Sequence, residues 1–180
     1  MDFNFQPVLS SNLWLLRPLI KEDAEALYQA ASAAEIWADH PAKNRYQRAV
    51  FMPYFDFLFQ TGSTLVFIDK DHNRMAGCSR FYVTPHTDAL SIGFTFIHHD
   101  YWGGTANFQI KALMLEHAFA YTDKVWFHID PNNIRSQKAT AKLGAVYKCD
   151  ESLDLGTGLA DYQSFQLDRA VWEHTLADKS

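Results

Sequence analysis

Hydrophobic and polar positions change period along this chain in a regular order. Aliphatic and aromatic runs at Leu13–Leu19, Thr64–Asp69, Met75–Thr84 and Ser91–Ile97 predict strands. The middle two are joined by the turn residues Asp71-His72-Asn73 and read as a hairpin. Lys21–Ser32 carries Ala24, Leu27, Tyr28 and Ala31 on one helical face. Asp39-His40-Pro41 breaks the chain, and Lys43–Gln60 reads as a helix that Pro53 kinks or restarts. A turn is expected at Pro85–Asp88. From about Thr105 to Tyr121 the pattern is apolar on most sides, with a stripe of Ile110, Leu113, Met114, His117 and Tyr121; such a helix lies flat on a sheet. Then follow a short strand (Val125–Asp130), a helix (Asn133–Leu143) stopped by Gly144, two strands (Ala145–Asp150 and Tyr162–Leu167) and a last helix (Arg169–Ala177). The order β α α β β β α β α β β α predicts a mixed α/β layer fold.

The 180 residues fit one domain, 1–180, large enough to bury a core without staples. The net charge of −5 argues against a nucleic-acid binder that relies on a global positive field. Two cysteines, Cys78 and Cys149, make no disulfide framework, and both sit in strand-like contexts that predict buried thiols. Nothing in the Cys and His spacing suggests a metal. The N-terminus lacks the basic and apolar regions of a signal peptide, and no apolar run reaches membrane-spanning length. A soluble cytoplasmic protein with no membrane partner is expected. Trp126 and Trp172 fit a homodimer surface and a core equally well.

The chemistry concentrates at two strand-to-helix junctions. At the first, the Ser91–Ile97 strand runs into Trp102-Gly103-Gly104-Thr105-Ala106-Asn107 and a long helix. The first N–H groups of a helix have no partner inside it, and with the helix dipole they attract an anion such as a phosphate. The spacing is neither that of a P-loop nor that of a dinucleotide fingerprint. At the second junction, His128-Ile129-Asp130-Pro131-Asn132-Asn133 leads into a helix with Arg135, Lys138 and Lys142 on one face. Asn133 or Asn132 suits the N-cap.

These features together resemble the GCN5-related N-acetyltransferase (GNAT) superfamily. The resemblance rests on the element order, the Trp-Gly-Gly turn, Asn133-Ile134-Arg135-Ser136-Gln137-Lys138-Ala139 with Lys142-Leu143-Gly144-Ala145, and the opening Leu16-Arg17-Pro18-Leu19 followed by Glu22-Asp23-Ala24. It extends from Leu13 to about Leu167, and the branch it resembles is the RimJ/RimL type. It implies a central mixed, mostly antiparallel sheet of about seven strands with helices on both faces. It further implies acetyl-CoA as co-substrate, no metal, and direct acetyl transfer to a primary amine, either a protein N-terminus or a small molecule. The pyrophosphate would sit on Trp102, Gly103, Gly104, Thr105, Ala106 and Asn107. The pantetheine would pair with the backbone of Phe94, Thr95, Phe96 and Ile97 and with Asn133, near Ser136. Arg135, Lys138 or Lys111 would approach the adenosine phosphates.

Two departures from the family stand out. Thr140 occupies the position of the usual tyrosine acid, and Ser91 stands where a glutamate is common. Ser136 and His128 are therefore the candidate proton-transfer residues. Trp37, Asp39 and His40 are candidates to touch the acceptor. The aromatic segment Phe51–Phe59 suits a core or a pocket wall. The departures also leave open an acyl-CoA-binding module without efficient catalysis.

Overall fold

A computed structural model describes residues 2–85 and 89–178. The predicted turn at Pro85–Asp88 falls mostly outside them. The strands are β1 (Leu9–Ser10), β2 (Trp14–Pro18), β3 (Thr64–Asp69), β4 (Arg74–Val83), β5 (Leu90–Ile97), β6 (Lys124–Ile129), β7 (Val146–Asp154) and β8 (Leu159–Asp168). The helices are α1 (Ala24–Ala31), α2 (Arg48–Gln60), α3 (Ala106–Phe119), α4 (Ile134–Ala141) and α5 (Arg169–Ala177). Strand order is β1-β2-β3-β4-β5-β6-β8-β7. The mixed, mostly antiparallel sheet is thus present with eight strands; two-residue β1 is too short to leave a hydrophobic period in the sequence. The β5–β6 pair is parallel, with Ser91 opposite Trp126.

The chain divides into two compact units, Met1–Phe81 with Phe94–Met114 and Tyr82–Gly93 with Leu115–Ser180. In the first, α2 presents Phe51, Tyr54, Phe55 and Leu58 to a core shared with Leu27 and Ala31 of α1. The spacing i, i+3, i+4, i+7 puts these four on one stripe. Val66, Cys78 and Phe96 receive them from the sheet. Ser79 and Thr95 alternate with Cys78 and Phe96 and therefore face the other way, where Lys111 of α3 reaches both hydroxyls. This unit carries helices on both faces of its strands.

Pro53 does not restart α2, which runs unbroken from Arg48 to Gln60. It lies exposed, and the carbonyl it leaves unpaired belongs to the exposed Ala49, where water can take the missing bond. Residues 43–46 form a separate turn of 3-10 helix, because Gln47 is extended (φ −80°, ψ 129°).

In the second unit β8 pairs with β6 from Lys124–Asp168 to Ile129–Gln163 and with β7 from Val146–Gln166 to Asp154–Leu159. Val125, Leu167, Leu115 and Trp172 are buried there, so Trp172 belongs to a core and not to a surface. The β7–β8 hairpin extends beyond the predicted strands, because its outer residues are polar and carry no hydrophobic alternation. Strand β7 is a sheet edge, and Cys149 on it is exposed, whereas Cys78 is buried. The expectation of two buried thiols therefore holds only for Cys78.

Trp37 anchors the first core. It is 2% exposed, donates its indole N–H to Ala31 O at 2.8 Å, and packs against Tyr54 and Phe96. Trp37→Ala is expected to cost ~3–5 kcal/mol in denaturant unfolding, the range for deleting a buried large aromatic.

Candidate functional site

Strand β5 does not stay regular to its end. Phe94 has φ +54°, the left-handed region, in the middle of a strand. A non-glycine residue held there marks a bulge and stored strain, which cluster at functional sites. Thr95, one residue on, is exposed. Phe96 is buried in the α1–α2 core, and Ile97 O accepts the Trp102 indole N–H at 3.1 Å.

The chain then turns through 98–105 into α3. Gly103 has φ +76°, which favours glycine, and residues 102–105 are exposed. A Cβ built on Gly103 or Gly104 meets nothing within 4 Å. Gln109 N–H bonds Thr105 O at 2.9 Å, so α3 begins at Ala106 with its first N–H groups beside this open turn. Asn107 is half-buried in the first turn of the helix.

Next to the turn, His98, His99 and Asp100 bring three potential metal-ligand atoms within 4.8 Å of one another. Arg74 lies on that cluster, 2.7 Å from Asp100 Oδ2 and 2.9 Å from His98 Nε2. A fixed guanidinium there opposes a second cation. A groove of about 260 Å³ opens on the same unit, bordered by Trp14, Asp69, His72, Tyr101 and Thr105. Burial works to raise the Asp69 carboxyl, but bonds from His72, Tyr101 and two backbone N–H groups outweigh it and hold it below the usual range. Asp71, Asp100, Trp102, Gly104 and Ala106 also line the groove, so it opens on the 102–105 turn and the start of α3.

Lys111 does not extend toward bulk solvent, where adenosine phosphates would be met. It is 6% exposed, with Nζ 2.7 Å from Thr95 Oγ1 and 3.1 Å from Ser79 Oγ. Burial lowers its pKa to about 7, against a small opposing effect of the Cys78 thiol. The aliphatic stem and the two hydroxyls that receive the ammonium account for this placement; a basic residue alone does not predict exposure.

In the second unit Asn133 caps α4, its Oδ1 accepting Ser136 N–H at 3.1 Å. That leaves the side-chain amide nitrogen to donate elsewhere. Ser136 and Arg135 are half-buried, Lys138 and Lys142 are exposed, and Thr140 is buried. Ser91 is fully buried, its Oγ 2.6 Å from Thr84 Oγ1.

His128 is inside the sheet layer, not beside open solvent. Its Nδ1 is 2.7 Å from Tyr82 Oη, and its Nε2 is 3.8 Å from Glu151 Oε1. Glu151 is held by Ser164 Oγ. A proton on Nε2 facing the carboxylate leaves Nδ1 to accept from the tyrosine. Burial outweighs the Glu151 charge and lowers the imidazole pKa to about 4, so the ring is neutral at pH 7. Tyr82 belongs to β4 and His128 to β6, with β5 between them. The tyrosine crosses β5 over Gly93, where a Cβ would fall 3.0 Å from its ring and 3.2 Å from its hydroxyl. Tyr82 and Glu151 were not legible as partners of His128, since no sequence spacing links positions 82, 128 and 151.

Of the expected acceptor residues, Trp37 is core and Asp39 is exposed. His40 stacks edge-on against Trp37, and its Nε2 lies 3.3 Å from Arg45 NH1.

A family model for the acetyltransferase (GNAT) domain matches residues 14–146. The chain belongs to the GNAT acetyltransferase family, whose members transfer acetyl groups with acetyl-CoA as co-substrate. No curated protein matches it. Among solved structures it is similar to a GCN5-related N-acetyltransferase from Brucella melitensis, with TM-score 0.79 and 16% identity over 96% of this chain and 85% of that one. It is also similar to a GNAT-family acetyltransferase from Bacillus anthracis, with TM-score 0.71 and 14% identity over 90% and 98%. RimJ of Mycobacterium smegmatis, solved with CoA-disulfide, matches with TM-score 0.65 and 17% identity over 92% and 88%. At these identities the likeness is one of fold.

Two outcomes follow from the buried titratable groups. Between pH 7 and 10.5 the unfolded chain carries a proton on Lys111 that the folded chain lacks. Stability therefore rises with pH across that window, by up to ~1.4 kcal/mol per pH unit, and the penalty is fully in force below pH 7. Lys111→Met is expected to be more stable than the wild type at pH 6, with the difference shrinking as pH rises to 10.5; matched urea titrations measure it. Tyr82→Phe leaves His128 Nδ1 buried without its donor and is expected to cost ~1–3 kcal/mol, read from the midpoint of denaturant unfolding at pH 7.5.

Proposed function

We propose that the protein is an N-acetyltransferase of RimJ/RimL-like kind, which transfers the acetyl group of acetyl-CoA directly to a primary amine. The observation that carries this reading is the junction of β5 and α3. A strand distorted at Phe94 leads to an exposed turn with no side chain at Gly103 or Gly104, and the first turn of α3 follows it. An anion can approach that backbone closely, which suits the pyrophosphate of the co-substrate. The backbone of Phe94–Ile97 would pair with the pantetheine amides, and the amide nitrogen of Asn133 would donate to the same arm. Exposed Lys138 and half-buried Arg135 remain the candidates for the adenosine phosphates, and Lys111 does not.

Acetyl-CoA supplies an activated thioester; the chain has to orient it and manage protons. A backbone N–H near the Phe94 bulge would hold the developing oxyanion. Ser136, half-buried at the start of α4, would return a proton to the leaving thiolate, directly or through water. A pKa near 4 makes His128 a weak free base, so its contribution would pass through the Tyr82 hydroxyl that it binds.

Thermal melting with acetyl-CoA tests the reading. A hundredfold excess over Kd adds ~2.7 kcal/mol, which for this length means a shift of roughly 5–10 °C. Gly104→Trp is expected to fold normally, since its φ is not positive and the space above it is open, and to lose most of that shift. Asn133→Ala should weaken it as well. The absence of a shift in folded wild-type protein would overturn the proposal. A shift without acetyl transfer to any amine would leave a binding module.

A further inference from the structure

Attack by an amine needs a proton acceptor, and His128, with a pKa of about 4, is a weak one. The first unit holds a stronger base against β5. Lys111 of α3 has its Nζ 2.7 Å from Thr95 Oγ1 and 3.1 Å from Ser79 Oγ, and the two hydroxyl oxygens are 2.7 Å apart. The three polar atoms close a triangle. Lys111 and Ser79 are buried, while Thr95 is exposed, so the triangle reaches solvent at Thr95. From β4 the Cys78 thiol acts on Lys111, and burial holds that thiol in its protonated, neutral form. Strand β5 carries no ionisable side chain. Among the described residues no carboxylate acts on the ammonium, so nothing fixes the charge on it.

The same three contacts serve both protonation states. With a neutral amine, Thr95 donates to Nζ, Nζ donates to Ser79 Oγ, and Ser79 donates to Thr95 Oγ1. With an ammonium, Nζ donates to both hydroxyls. A proton can enter or leave without any heavy atom changing partner. Burial brings the lysine to about 7, the range in which a general base works at ordinary pH. Thr95 stands one residue after the Phe94 bulge, on the 94–97 segment assigned above to the pantetheine arm. We propose that Thr95 and Lys111 are the proton-accepting relay of acetyl transfer, with Thr95 touching the attacking amine and Lys111 acting through it. The proposal rests on the acetyltransferase reading and supplies the base which that reading lacks. The amine nitrogen bonds to the acetyl carbon, and the carbonyl pair moves to oxygen. One N–H proton passes to Thr95 Oγ1 while the Thr95 proton passes to Nζ. The oxygen pair then returns and the C–S bond breaks. The thiolate leaves with the C–S pair and is protonated by the acid assigned above. Lys111 gives its proton back to solvent through Thr95.

The test is the pH dependence of kcat/KM, from acetyl-CoA-dependent thiol release with the best acceptor among glycinamide, benzylamine and spermidine. Ionisation of the acceptor is common to all variants and cancels from a ratio. The wild type is expected to exceed Lys111→Met by ~10²-fold or more above about pH 8, the lower end of what a positioned base contributes. Below about pH 7 that ratio should fall by ~10-fold per pH unit as Lys111 takes up its proton. A lysine that only supports the fold gives a ratio independent of pH. Lys111→Arg keeps the charge, cannot release a proton, and should match Lys111→Met. Thr95→Val should lose as much, and Thr95→Ser should recover most of it with the wild-type profile. Acetyl-CoA should still raise the melting temperature of Lys111→Met by the wild-type amount. NMR of isotope-labelled lysine Cε should show, without ligands, one signal that titrates near pH 7 and is missing from Lys111→Met. A constant ratio, a wild-type rate in Thr95→Val, or a Lys111 signal that titrates at the ordinary lysine value overturns the proposal. So does an acetyl group found on Thr95 by mass spectrometry during turnover, which would make the hydroxyl a nucleophile. If acetyl-CoA gives no melting shift, or a shift without acetylation of any amine, the acetyltransferase reading falls and this proposal with it. If amines are acetylated and the ratio is flat, only the proposal falls.

Discussion

The Tyr82–His128 hydrogen bond is the constraint on which the middle of the sheet depends. It joins β4 to β6 across β5, and it can do so only because residue 93 is glycine. The bond sits close to the point at which β5 and β6 register, Ser91 opposite Trp126. Immediately after Gly93, Phe94 leaves the extended region. The brace and the bulge are therefore adjacent in the chain. One ties strands together, and the other departs from the extended backbone within a strand that continues to Ile97. A bulge without an anchor would let the whole strand slip by a residue and exchange its two faces.

Burial also divides the labour of the polar residues. Lys111, His128 and Ser91 look like chemistry in the sequence, yet all three are enclosed. For each, the surroundings are hydroxyls: Ser79 and Thr95 around Lys111, Tyr82 at His128, Thr84 at Ser91. A hydroxyl can donate or accept, so it satisfies a buried polar group without bringing in a second charge. Burial lowers the pKa of both the lysine and the imidazole, to about 7 and about 4, so the imidazole is neutral near pH 7.

Much of the fold was legible because hydrophobic period and turn chemistry agree. Strands β2 to β6, helices α1 and α3 and the Asn133 cap all lie within a few residues of where the pattern puts them. The misses have separate causes. The β7–β8 hairpin outruns its apolar core because polar residues such as Glu151, Ser152 and Asp161 are held by ladder pairing, which alternation does not report. Pro53 is tolerated inside α2 because it lies on the solvent side, a fact of tertiary packing. Of the site, the backbone portion was readable, since glycine at Gly103–Gly104 and the start of a helix are local signals. The side-chain portion was not. Tyr82 and Glu151 meet His128 only through strand order, and positions 46 and 23 apart share no spacing rule.

Charge shows the same difference between whole-chain and local information. The net charge of −5 by itself points toward cationic partners. Exposed charges act weakly beyond the ~8–10 Å screening length in ordinary salt, so a sum over 180 residues says little about one half-buried surface. Around the Tyr54 hydroxyl the nearby ionic side chains are arginines. Each is fixed over a ring, and neither has the freedom of an arginine on a solvated helix. The aromatic richness of α2 thus serves two physical ends on one helix. Phe51, Phe55 and Leu58 fill the core, while Tyr54 and Phe57, at the margin of that core, hold cations in place by their faces. The ionic side chains nearest the Tyr54 hydroxyl are thus opposite in sign to the net charge of the whole chain, and at contact distance the near charges decide.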